Sequence, residues 1–128
     1  MKVLIAEDQP MILKALVFKM KKAGYEVIAA IDGQQAIELF ESEKPDMVIT
    51  DLYMPFSTGF ELITYIRKNC SSSVPILVLS NVGLEQTIVD VFDLGASDFV
   101  QKPYRPNELV IRTKRLITNN QGHSQMAA

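Results

Sequence analysis

"MVITDLYMP" (residues 47–55) decides how this chain is read. Met47, Val48 and Ile49 have the composition of a buried strand. The run then ends on Thr50 and Asp51, with Pro55 four residues beyond the acid. Carrying a carboxylate to the end of an apolar strand is costly unless the acid has a partner or a task. The rest of the chain has to provide one or the other.

Four further apolar runs accompany it: "VLIA" (3–6), "VIAA" (27–30), "ILVLS" (76–80) and "FV" (99–100). None alternates with polar residues, which is the pattern of strands covered on both faces. The segments between them have helical periodicity. Ile12, Leu16, Met20 and Ala23 share one face of a first helix, and Gly24 follows as a stop. A second helix opens at Asp32-Gly33-Gln34-Gln35 and buries Ala36, Ile37 and Phe40. A third opens with a capping box, Thr58 with Glu61 three residues on, and continues through Phe60, Ile63 and Ile66. A fourth is predicted from about Leu84 to Leu94, with Leu84, Ile88, Val91 and Phe92 inward and Gly95 ending it. The fifth starts at Pro106, a residue suited to a first helical turn. Leu109, Thr113, Leu116 and Ile117 form its inner stripe, which leaves Glu108, Ile111, Arg112 and Arg115 outside. Five β-α repeats predict an α/β fold: parallel strands, right-handed crossovers and helices on both faces. One domain over residues 1–118 is expected, followed by a flexible polar tail over 119–128.

Composition narrows the function. The chain has 128 residues, enough for one core, and its net charge of -2 gives no reason to expect nucleic acid binding. No apolar stretch is long enough to span a bilayer, and the acids after Ala6 interrupt what would otherwise resemble a signal peptide. A single cysteine, Cys70 in the polar "KNCSSSVP", cannot form an internal disulfide, so a cytoplasmic location is the default expectation. The one histidine, His123, falls in the predicted tail, so a histidine-based catalytic centre is not expected.

In open parallel sheets ligands bind beyond the carboxyl ends of the strands. The residues just past those ends are Glu7-Asp8, Asp51, Ser80-Asn81 and Lys102-Pro103. Three carboxylates gathered at one edge repel one another, so a cation has to compensate or one of them has to hold a proton. Lys102 brings one positive charge, and a hard divalent cation such as Mg²⁺ suits the remaining oxygen ligands. A carboxylate beside such an ion can attack a phosphoryl group and form an aspartyl phosphate.

These residues carry a family resemblance. "EDQP", "DLYMP", "LS" and "GASDFVQKPY", in this order and at the ends of the right strands, resemble the receiver domain of two-component response regulators, relatives of the chemotaxis response regulator. The resemblance covers residues 2 to 118. It implies a flavodoxin-like five-stranded sheet of order 2-1-3-4-5 and a cis Lys102-Pro103 bond. It implies that Asp51 is the phosphoacceptor, and that Glu7, Asp8, Asp51 and the Tyr53 carbonyl hold Mg²⁺ or Mn²⁺. Lys102 would pair with the phosphate. Ser80 would bond a phosphate oxygen and Phe99 would turn inward as Ser80 moves, although Phe99 also reads as a plain core aromatic. The implied partner is a sensor histidine kinase or a histidine phosphotransfer protein.

The chain departs from the pattern in places. Asn81 stands where the family usually has alanine or glycine, and with Tyr53 it is expected to modify access to the site. The last helix resembles that of a subfamily that forms homodimers through helix 4, strand 5 and helix 5. Asp98, Glu108 and Arg112 match charged positions of that interface, while Ile88 occupies a position that is basic in the subfamily. A stand-alone receiver and a piece of a longer protein are both compatible with these residues. The rivals fit less well. An aspartyl-phosphate phosphatase would place Asp-x-Asp after the first strand. A flavin-binding carrier would place a Gly/Ser/Thr-rich loop there, whereas "EDQP" repels a phosphate that lacks a metal. A degenerate receiver acting as a phosphorylation-independent binding module stays open as the alternative.

Overall fold

The computed structural model describes residues 1–81 and 83–127, with the side chains of 121–127 left aside. Five strands, β1 (Lys2–Ala6), β2 (Glu26–Ala30), β3 (Met47–Asp51), β4 (Ile76–Ser80) and β5 (Asp98–Gln101), form one parallel sheet of order β2-β1-β3-β4-β5. The helices are α1 (Pro10–Lys22), α2 (Gly33–Glu43), α3 (Gly59–Thr64), α4 (Glu85–Leu94) and α5 (Pro106–Ala127). A π-helical stretch, Tyr65–Asn69, continues α3. This is the doubly wound fold that the β-α alternation predicts.

The two-residue period of the strands sorts the core into two layers. Val3, Ile5, Met47, Ile49, Leu77 and Leu79 point to the side covered by α1 and α5. Leu4, Ala6, Val48, Ile76 and Val78 point to the side covered by α2, α3 and α4. Local chemistry fixes the helix ends. Asp32 caps α2 by accepting from the Gln35 amide, and Gln35 reaches back to the Ile31 amide. The Thr58–Glu61 capping box opens α3. Gly24 follows α1 with φ 101, and Gly95 ends α4 with φ 118, both left-handed conformations that suit glycine.

Two expectations need correction. The stripe of α1 is Leu13, Leu16 and Met20, while Ile12 and Ala23 are only half-buried. In α4 only Val91 is buried; Ile88 is half-buried, and Leu84 and Phe92 are exposed at 68% and 44%. Leu84 is the extended N-cap, so the helical phase that aligns it with Val91 does not apply, and Phe92 sits about 100° around the helix from Val91. The α5 backbone runs on through 119–127, the stretch read from the sequence as a tail. No helix among the described residues is long and apolar enough to cross a membrane.

Candidate functional site

The carboxyl edge of β1, β3 and β5 brings four predicted residues together. Glu7 follows β1 and is 2% exposed, and its amide donates to the Ala30 carbonyl of β2. Asp51 ends β3 half-buried, and Asp8 is half-buried beside it. Lys102 follows β5. Its ammonium donates to Asp51 Oδ2 at 2.9 Å and to Glu7 Oε1 at 3.0 Å. Its amide donates to the Ser80 carbonyl at 2.8 Å, which ties the lysine to the end of β4. The Lys102–Pro103 peptide is cis, as the resemblance implies. The Leu52 amide donates to Asp51 Oδ1 at 2.7 Å, so each Asp51 carboxylate oxygen has one donor.

The charge is unbalanced. Glu7, Asp8 and Asp51 offer oxygens within 4.8 Å of one another, against one ammonium. Burial, then the hydrogen bond and charge of Asp51, push the Glu7 carboxyl up from 4.5 to about 7, against the opposing effect of Lys102. Lys102 is in turn raised above its ordinary value: burial opposes the charge, but bonds to Asp51 and Glu7 outweigh it. Glu7 Oε2 is buried and has no hydrogen-bond partner among the described residues. An orphaned buried oxygen in a surplus of carboxylates is what a hard divalent cation with oxygen ligands would satisfy, so these residues fit one.

The other predicted residues lie around this cluster. Ser80 is fully buried at the end of β4, opposite Gln101 in the ladder. Phe99 is half-buried on β5 opposite Val78 and packs against the α2–α4 layer. Tyr53 is 52% exposed and meets Phe60 edge-on at 6.0 Å. Asn81 is exposed and, with Gln9, Ile12, Lys102, Pro103 and Tyr104, lines a cavity of about 400 Å³ next to the lysine. Gln9 and Tyr104 were not singled out in the sequence; they flank the acidic pair and Lys102-Pro103, and that adjacency was the available signal. Asp98, Glu108 and Arg112 pair within the chain, Arg112 to Asp98 at 2.8 Å and to Glu108 at 3.0 Å, while Ile111 is 58% exposed.

Gly59 is a further contributor. Its amide donates to the Leu52 carbonyl at 2.8 Å, and a Cβ at this position would lie 2.3 Å from the Asp51 carbonyl oxygen and 2.8 Å from Leu52 Cα. The start of α3 therefore rests on the peptide that aims Asp51. Gly59→Ala is expected to destabilise the fold by about 1–3 kcal/mol, as overpacking does. It should also perturb the Asp51 and Leu52 amide resonances more than a control at exposed Phe18, Phe18→Ala. Urea melts with amide spectra would check this, and an unshifted Asp51 would count against it.

Comparison with known proteins now decides the family. The sequence pattern of the response regulator receiver domain matches residues 3–114. The chain belongs to the response regulator receiver domain family. It is a signalling domain of two-component systems, a class that interacts with histidine kinases. It is similar to response regulator RR06 of Streptococcus pneumoniae, 40% identical over 91% of this chain and 53% of that protein. It is also similar to the probable transcriptional regulator ycf27 of Guillardia theta, 40% identical over 91% of this chain and 45% of that one. The receiver thus spans about half the length of these relatives. Among solved structures, the receiver domain of the Francisella response regulator 1452 superposes with TM-score 0.88 at 28% identity, covering 93% of this chain and 98% of that one. The chemotaxis protein CheY4 of Vibrio cholerae superposes with TM-score 0.84 at 30% identity, covering 90% and 97%.

Proposed function

We propose that this receiver accepts a phosphoryl group on Asp51 from the phosphohistidine of a histidine kinase or a histidine phosphotransfer protein. The observation that carries the reading is the setting of Asp51: a carboxylate at the sheet edge, held by Lys102 and the Leu52 amide and facing Glu7 and Asp8. An Asp51 carboxylate oxygen forms the new bond to phosphorus, and the P–N bond to the donor imidazole breaks with its electron pair leaving on nitrogen. Asp51 itself brings no proton to this exchange, so protonation of the leaving imidazole comes from elsewhere. Lys102 neutralises charge on the phosphoryl oxygens, and Ser80 at the end of β4 accommodates one of them. Glu7, Asp8, Asp51 and the Tyr53 carbonyl would hold Mg²⁺ or Mn²⁺, which supplies charge neutralisation at the phosphoryl oxygens.

The change at Ser80 passes to Phe99 and the surface of α4, β5 and α5. Val89, Phe92 and Ile111 are the exposed apolar residues of these elements among those described, and they form the face for a phosphorylation-enhanced homodimer. The alternative, a binding module indifferent to phosphorylation, is not favoured by a cluster that keeps three carboxylates close together and pairs two of them with a lysine.

Intact mass after incubation with Mg²⁺ and a small phosphodonor tests the proposal. One added phosphoryl group is expected in the wild type and none in Asp51→Asn or with chelator. No addition to the wild type, together with no binding of beryllofluoride, would leave the binding module as the reading. Sedimentation of the same samples tests the dimer, and a phosphorylated species that stays monomeric would exclude it.

A further inference from the structure

The charges of this domain are sorted across the sheet. Helix α1 carries four lysines and no acid, and α5 carries Arg112, Lys114 and Arg115 against the single acid Glu108. On the other face, α2, α3 and α4 together carry seven carboxylates, against Arg67 and Lys68 of the π-helical stretch that continues α3. A net charge of -2 conceals this polarity. The basic side is also concave. A cavity of about 730 Å³ lies between α1 and the first half of α5, and a second of about 220 Å³ adjoins it, with Lys19 and Asn107 lining both.

We propose that this α1–α5 groove docks an acidic segment of a partner protein. Lys19, Arg105 and Arg115 line the larger cavity, and Lys22 and Lys114 extend the row into the smaller one. None of these five side chains makes an ion pair or hydrogen bond among the described residues, and the one carboxylate present, Glu108, is engaged by Arg112. Five uncompensated like charges along one groove attract an anionic occupant and repel a cationic one. Exposed Ile111 gives the groove an apolar element, so the fitting segment carries aspartate or glutamate with an interspersed apolar residue. A nucleic acid duplex fits less well. It carries a charge about every 1.7 Å along its whole length and would meet the acidic remainder of a small protein. A short acidic peptide stays within the roughly 8 Å range over which the groove's own field acts. The groove contains neither the carboxylate cluster nor Lys102, so the unphosphorylated protein is expected to bind here without any reaction at Asp51.

Fluorescence anisotropy of a short labelled Glu/Leu peptide against the full chain tests this, at concentrations where sedimentation shows a monomer because Ile111 also borders the proposed dimer face. Binding is expected to weaken with salt. It should fall about tenfold or more in Lys19→Glu/Arg115→Glu, as for loss of steering charges at an interface, and stay unchanged in Asp51→Asn and in the far-face variant Glu38→Lys/Glu41→Lys. Thermal melts verify that each variant folds. Equal binding by the groove and far-face variants would overturn the proposal. So would tighter binding of a DNA oligonucleotide or anionic vesicles, self-association that Lys19→Glu abolishes, or no binding at low salt.

Discussion

Without divalent cation, the receiver is expected to lose about 3 kcal/mol of stability as pH rises from about 5 to 8, because one pKa unit is worth about 1.4 kcal/mol. The source is Glu7, whose carboxyl is pushed from 4.5 to about 7 in the folded protein. A raised folded value means that the native state holds this proton more tightly than the unfolded chain does. The resulting stabilisation is complete below 4.5 and is lost as pH rises through about 7. Lys102 and Tyr104 are raised from values already above this window and do not contribute to it. Urea denaturation in chelator at several pH values would show the slope, and Glu7→Gln should flatten it. Added Mg²⁺ should oppose it, because a cation bound by Glu7, Asp8 and Asp51 competes with the proton and binds better as the proton leaves. A wild type in chelator whose stability does not change across this range would contradict the assignment of the proton to Glu7.

The sequence carried most of the fold because the information was local. Short unbroken apolar runs such as "ILVLS", bounded by turn residues, fit strands covered on both faces, and Asp32, Thr58 and Gly95 mark helix ends through bonds to near neighbours. The errors fall where local phase and tertiary packing diverge. Leu84 and Phe92 are large and apolar, and only the extended backbone at Leu84 and the orientation of α4 turn them outward. At the site, the meeting of Glu7, Asp8, Asp51 and Lys102 was legible because all four follow strands of one parallel sheet. The approach of Gly59 to Asp51 was not, since it depends on how the loop between β3 and α3 folds Gly59 back, so that a Cβ there would lie 2.3 Å from the Asp51 carbonyl oxygen. The sorting of charge was equally hidden. Lysines of α1 and arginines of α5 lie some ninety residues apart in sequence, and only the layer assignment places them on one side.

Lys102→Met is expected to destabilise the metal-free protein strongly at pH 8 and weakly at pH 5. The Lys102 side chain is 9% exposed, and its ammonium sits 2.9 Å from Asp51 and 3.0 Å from Glu7. Removing one partner from a buried ionic group costs about 3–5 kcal/mol when the charge left behind has no escape. Glu7 has an escape, since it can take up a proton. At pH 5 it already holds one, so the variant loses mainly the contact with Asp51. At pH 8 the variant must either bury a second anion beside Asp51 or bind a proton from dilute solution, and both are costly. Because Lys102 lowers the Glu7 pKa, its removal should also move the fall in stability to higher pH than in the wild type. Mg²⁺ should rescue Lys102→Met more than the wild type, since a cation would then be the only compensation for three carboxylates. Adding Glu7→Gln to Lys102→Met should recover most of the loss at pH 8, and the double-mutant cycle would read the coupling directly. Equal destabilisation at pH 5 and pH 8 would mean that Lys102 acts through packing of its alkyl chain rather than by balancing Glu7 and Asp51.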